Sequence, residues 1–166
     1  MRILIFTEGT ILTHRNYTGL PREKIVELVK NLGDPLGNEY FAASVPISNC
    51  VRKIEAWNRQ GATILYLTSR RTPEEVQTIE SVLTEFRFPE GELLFREAGE
   101  EYNDVAERAL PDVIVEDDCE SIGGEEEMTY PHIKQELKTR IKSIVVREFG
   151  GIDHLPDNVS DLLNCQ

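Results

Sequence analysis

An α/β fold, with a parallel sheet of about five strands between two layers of helices, is predicted by three features of the 166-residue sequence. Short, mainly apolar runs of strand length recur at residues 3–6, 62–67 and 112–115, and such runs suit strands covered on both faces. Segments of helical periodicity separate them, and strands that alternate with helices form a parallel sheet joined by right-handed crossovers. Three of the runs end abruptly in polar residues: Thr7-Glu8, Thr68-Ser69-Arg70 and Glu116-Asp117-Asp118. In a parallel sheet those ends share the edge where ligands are held.

The first strand, residues 3–6, runs into Gly9, which permits a tight backbone turn. Residues 13–46 read as an insertion, a small cap carrying one helix at 21–32. Pro21 opens that helix, Ile25, Leu28, Val29 and Leu32 repeat at helical spacing, Gly33 stops it, and Asp34 to Asn38 is loop. Ser48 is the expected N-cap of a helix to residue 60 whose apolar face holds Val51, Ile54 and a core Trp57. After the strand at 62–67, Thr72-Pro73-Glu74-Glu75 combines a capping box with proline in the first turn, starting a helix that buries Val76, Ile79, Val82 and Leu83. A strand is expected at 92–95, a helix at 103–110, a strand at 112–115, a helix at 131–142 and a fifth strand at 143–147. A last helical turn is placed at 159–163.

A single domain over residues 1–166 accommodates all of this. The net charge of −12 opposes binding to nucleic acid or to an anionic membrane, and no apolar run approaches the ~18 residues of a membrane span. Three cysteines without ligand spacing, Cys50, Cys119 and Cys165, point to a reducing compartment and away from zinc. With no charged-then-apolar leader, a cytoplasmic location is expected.

Convergence of Glu8, Glu116 and Asp117 has an electrostatic consequence. Two carboxylates 4 Å apart repel by about 4 kcal/mol at an effective dielectric near 20, so the group needs a cation or a proton. Mg2+, which favours oxygen ligands, is the expected partner.

The layout of strand ends resembles the haloacid dehalogenase-like (HAD-like) superfamily, most of whose members are magnesium-dependent phosphatases on a three-layer, Rossmann-like α/β/α fold. The resemblance runs from Met1 to about Asp157. Where that family has D-x-D-G-T, this chain has Phe6-Thr7-Glu8-Gly9-Thr10. The resemblance implies an acid/base role for Glu8, phosphate binding by Thr68, Ser69, Gly9 and Arg70, and a metal site of Glu8, Glu116, Asp117 and Asp118. It also exposes two departures. The nucleophile position holds Phe6, or Thr7 if the alignment slips by one, and no lysine occurs between Lys53 and Lys134 to supply the family's phosphoryl-steadying charge. A hydroxyl needs a base to activate it, and Glu8, as the neighbour of Thr7 on an extended strand, is expected to point to the other face.

The expected function is therefore a non-catalytic or regulatory binder of a small phosphate-containing ligand, of Mg2+, or of both. The alternative is an altered Mg2+-dependent phosphohydrolase using Thr7 and Glu8. A third reading is an acidic interaction scaffold.

Overall fold

The computed structural model describes residues 1–32 and 37–165; the expected helix stop at Gly33 and the loop residues Asp34, Pro35 and Leu36 lie outside the described residues. A five-stranded parallel sheet is built from β1 (Arg2–Phe6), β4 (Thr63–Leu67), β5 (Glu92–Leu94), β6 (Val113–Asp117) and β7 (Lys142–Val146). Its order is β5-β4-β1-β6-β7, which places the first strand at the centre. β1 pairs with both β4 and β6 in parallel register, Ile5 lying beside Tyr66 on one side and Val115 on the other.

Side chains alternate across these strands, and the alternation divides the core in two. Ile3, Ile5, Ile64, Tyr66, Val113 and Val115 face one layer, formed by α3 (Cys50–Arg59), α4 (Pro73–Glu85) and the C-terminal segment. Leu4, Leu65, Leu67 and Ile114 face the other, formed by α5 (Tyr102–Ala109) and the stretch carrying Ile133 and Ile141. This is the three-layer α/β/α arrangement, Rossmann-like in its parallel sheet and central first strand.

Several local expectations hold for the physical reasons given. The Thr72 hydroxyl accepts from the Glu75 N–H while the Glu75 carboxylate accepts from the Thr72 N–H, closing the capping box that starts α4. Trp57 is wholly buried, and its indole N–H donates to the Pro156 carbonyl at 2.8 Å. The three cysteines are free thiols. Among the described residues no helix is long and apolar enough to cross a membrane.

Others are corrected. Ser48 is not a helix cap: it adopts a left-handed backbone (φ 51°), α3 begins at Cys50, and the residue before it, Asn49, donates its N–H to Asp153. The expected helix at 131–142 shrinks to α6 (Gln135–Lys138) after a 3₁₀ turn at Tyr130–His132, because the chain must bring Ile133 and Ile141 back onto the sheet within a few residues. Pro21 caps α1 (Arg22–Lys30) rather than lying inside it. The stretch between β1 and α3 also contains a two-stranded antiparallel sheet of β2 (Leu12–His14) and β3 (Ser44–Pro46), with α2 (Asn38–Ala42) between them in sequence. The His14 ring stacks on Tyr40 at 4.5 Å and ties β2 to α2.

Candidate functional site

The polar strand ends lie together at the C-terminal edge of the sheet, but they form two groups rather than one. The first surrounds Glu8. Its carboxylate accepts from the Thr68 hydroxyl at 2.6 Å and from the Ser69 N–H at 3.1 Å, and the Thr7 hydroxyl lies 2.5 Å away. Thr7 and Glu8 therefore do meet, against the expectation of opposite faces: β1 has ended at Phe6, and the chain is already turning. Thr7 is nonetheless wholly buried, and its hydroxyl also lies 3.2 Å from the Leu67 carbonyl. Arg70 stands 3.7 Å from Glu8, bonds the Ser69 hydroxyl, and stacks on Phe41 from α2. The hydroxyl of Thr68 and the N–H of Ser69, expected to meet phosphate, are thus engaged by Glu8.

Phe6 completes this side. Its ring packs edge-on against Tyr102 at 5.4 Å, and the Arg96 guanidinium covers the other ring at 3.8 Å. Arg108, the other arginine near the position of the missing lysine, is paired with Glu100 on the surface.

The second group is acidic. Asp117, Asp118 and Glu148 each offer a carboxylate oxygen, and those atoms lie within 4.8 Å of one another. Asp117 closes β6, and Glu148 follows the adjacent β7 by two residues. Each carboxylate is oriented by donors. Thr10 Oγ1 donates to Asp117 Oδ2 at 2.7 Å and the Cys119 N–H to Oδ1 at 3.0 Å; Ser121 donates its N–H and hydroxyl to Glu148, both at 2.6 Å; the Glu148 N–H donates to Asp118. Gly9 turns under this cluster with φ 82°, and a Cβ there would stand 2.9 Å from Asp117 Oδ2. Glycine is required at that position by conformation and by space.

Burial sets the protonation of the group. Desolvation, opposed by the Thr10 hydrogen bond and reinforced by the Glu148 charge, pushes the Asp117 carboxyl up to about 7. Desolvation also raises Glu148. Burial and then the neighbouring carboxylates push the Cys119 thiol up, which removes thiolate chemistry from this site. Arg22, at the start of α1, lies 3.9 Å from Asp118, donates to the Glu148 carbonyl at 2.8 Å and pairs with Glu120.

The arrangement could hold a metal ion. Its donors are all carboxylate oxygens, each already oriented by a hydrogen bond as metal-binding carboxylates are, and Asp118 keeps partial access to solvent. The structure does not bring every expected residue here. Glu116 lies on the opposite face of β6, where its carboxylate accepts from the N–H groups of Thr129 and Tyr130 at 2.7 and 3.0 Å and anchors the loop before α6. Glu8 stays in the first group. Glu148 was not among the expected residues, although the rule applied to the other strand ends, acid at the C-terminal end of a strand, would have found it at the fifth.

Fold and site together define an α/β protein with a parallel sheet and an acidic cluster at its strand ends. No family model matches the chain, and no curated protein does. Two chains from structures of the Pnkp1/Rnl/Hen1 RNA repair complex are similar to it, with TM-scores of 0.54 and 0.56 at 11% identity. They cover 88% and 89% of this chain, which spans 43% and 46% of theirs, less than half their length. At that identity the likeness is one of fold.

Proposed function

We propose that the protein is a HAD-like binding module without conventional phosphatase activity, which holds Mg2+ on Asp117, Asp118 and Glu148 and a small phosphate-containing ligand against that ion. The observation that carries this reading is the oriented acidic triad at the ends of β6 and β7. Its oxygen-only donor set suits a hard cation, and bound Mg2+ would supply a positive charge for phosphate oxygens. By the HAD-like resemblance the nucleophile position holds Phe6, packed on Tyr102, or Thr7, and neither is a carboxylate that could accept a phosphoryl group. The RNA repair setting of the structural neighbours is not carried over, since a chain of net charge −12 repels a phosphate backbone.

A second reading, an altered phosphohydrolase, is favoured by the 2.5 Å contact of Thr7 with Glu8, the geometry of a hydroxyl beside a base. The complete burial of Thr7 weighs against it.

The test is thermal melting of chelator-treated protein with and without Mg2+ and inorganic phosphate, alongside a turnover screen of phosphorylated metabolites. A melting temperature raised by Mg2+, lost in Asp117→Asn and Glu148→Gln, with no turnover, supports the proposal. No Mg2+ shift contradicts it, and turnover abolished by Glu8→Gln establishes the second reading instead.

A further inference from the structure

The edge of the sheet next to the acidic triad is open. β7 is an outer strand, bonded to β6 alone: the Lys142 N–H donates to the Asp112 carbonyl at 2.8 Å, and the Val146 carbonyl accepts from Asp118 at 2.9 Å. In a parallel pair alternate residues bond to the neighbour, so Ser143 and Val145 direct their N–H and C=O groups away from the sheet. Among the described residues no loop or side chain bonds those groups. The opposite edge strand, β5, is only three residues long and begins with the exposed Glu92, a common protection against strand addition.

β7 carries no such protection along its middle. Val145 is 49% exposed, and the Ser143 hydroxyl is covered yet has no hydrogen-bond partner. Both side chains line a groove of about 370 Å³ whose other apolar walls are Met128, Tyr130 and Pro131. Its charged lining is acidic only, Asp118 and Glu125, and Glu125 is followed by Glu126 and Glu127. Lys138, beside the groove wall, is committed, lying against the Tyr130 ring and donating to the Pro131 carbonyl.

We propose that β7 and this groove form a docking site for an extended segment of a partner protein, added to the sheet as a sixth strand. Main-chain hydrogen bonds to Ser143 and Val145 would hold it, apolar side chains at alternate positions would enter the groove, and a basic residue would meet Asp118 and Glu125. The acidic lining and the net charge of −12 select a basic segment and disfavour a second copy of this chain. The groove shares Asp118 with the proposed Mg2+ site, so docking is tested with the metal removed.

The test is selection of a random heptapeptide phage library on the full-length protein in a chelating buffer, followed by titration of the enriched synthetic peptides. The expected result is peptides with alternating apolar residues and at least one lysine or arginine. Their binding should slow amide exchange at Ser143 and Val145, and fall at least tenfold in Val145→Lys and in Glu125→Lys. Both substituted positions are partly or fully exposed, so the variants should fold, as circular dichroism would verify. No enrichment, enrichment of acidic peptides, undiminished binding to both variants, or self-association through β7 overturns the proposal.

Discussion

Asp117 shows how one buried carboxylate couples stability to pH. Its folded pKa of about 7 lies above its ordinary value of 3.8, so the folded state retains a proton that the unfolded chain gives up. The unfolded state binds fewer protons through this window, and stability therefore falls as pH rises from about 4 to 7, then levels. In chelating buffer the melting temperature should decline across that range, and Asp117→Asn should flatten the decline while raising stability at neutral pH. Glu8 is held by hydrogen bonds: the Thr7 and Thr68 hydroxyls and the Ser69 N–H converge on its carboxylate. Glu8→Gln leaves one acceptor oxygen for these donors and should cost about 1–3 kcal/mol, a drop of several degrees in a melting scan. At this scale the sequence was only partly legible. Which residue types stand at strand ends could be read, but the face each side chain takes depends on the residue where the strand stops. The contact between Thr7 and Glu8 follows from β1 ending at Phe6, and the separation of Glu116 from Asp117 follows from both lying inside β6, where neighbours take opposite faces.

Among the elements, β1 and β4 were visible because runs covered on both faces need only apolar residues, and α4 was visible because its capping box is local in sequence. The short strands β2 and β3 were not, since three residues carry no periodicity and pair across about thirty positions of chain. The stretch at 131–142 had helical composition, but its two anchors on the sheet, Ile133 and Ile141, overrode local preference. The C-terminal segment depends on α3 in a similar way: Lys53 donates to the Leu155 carbonyl at 2.7 Å and Trp57 to that of Pro156. Trp57→Phe keeps most of the buried ring but removes the donor. It should destabilise by about 1–3 kcal/mol and accelerate hydrogen exchange between residues 152 and 165 more than in the central strands.

For the whole molecule, the sheet order places β6 and β7 side by side, and that adjacency brings Glu148 to Asp117 and Asp118 across thirty residues of sequence. β1 also neighbours β6, but the Glu8 carboxylate is bonded on the β4 side, to Thr68 and Ser69, so cation binding and the Glu8 hydrogen-bond network should be affected by different substitutions. Arg22, at the start of α1, partly neutralises the triad, and a bound cation must compete with it. The most direct measurement is a calorimetric titration of Mg2+ into chelator-treated protein at pH 8, above the Asp117 transition, for the natural chain, Glu148→Gln and Glu116→Gln. Saturable binding that Glu148→Gln abolishes and Glu116→Gln leaves in place is the predicted result. Binding that survives Glu148→Gln, or no binding by the natural chain, would contradict the assignment of the triad as the metal site.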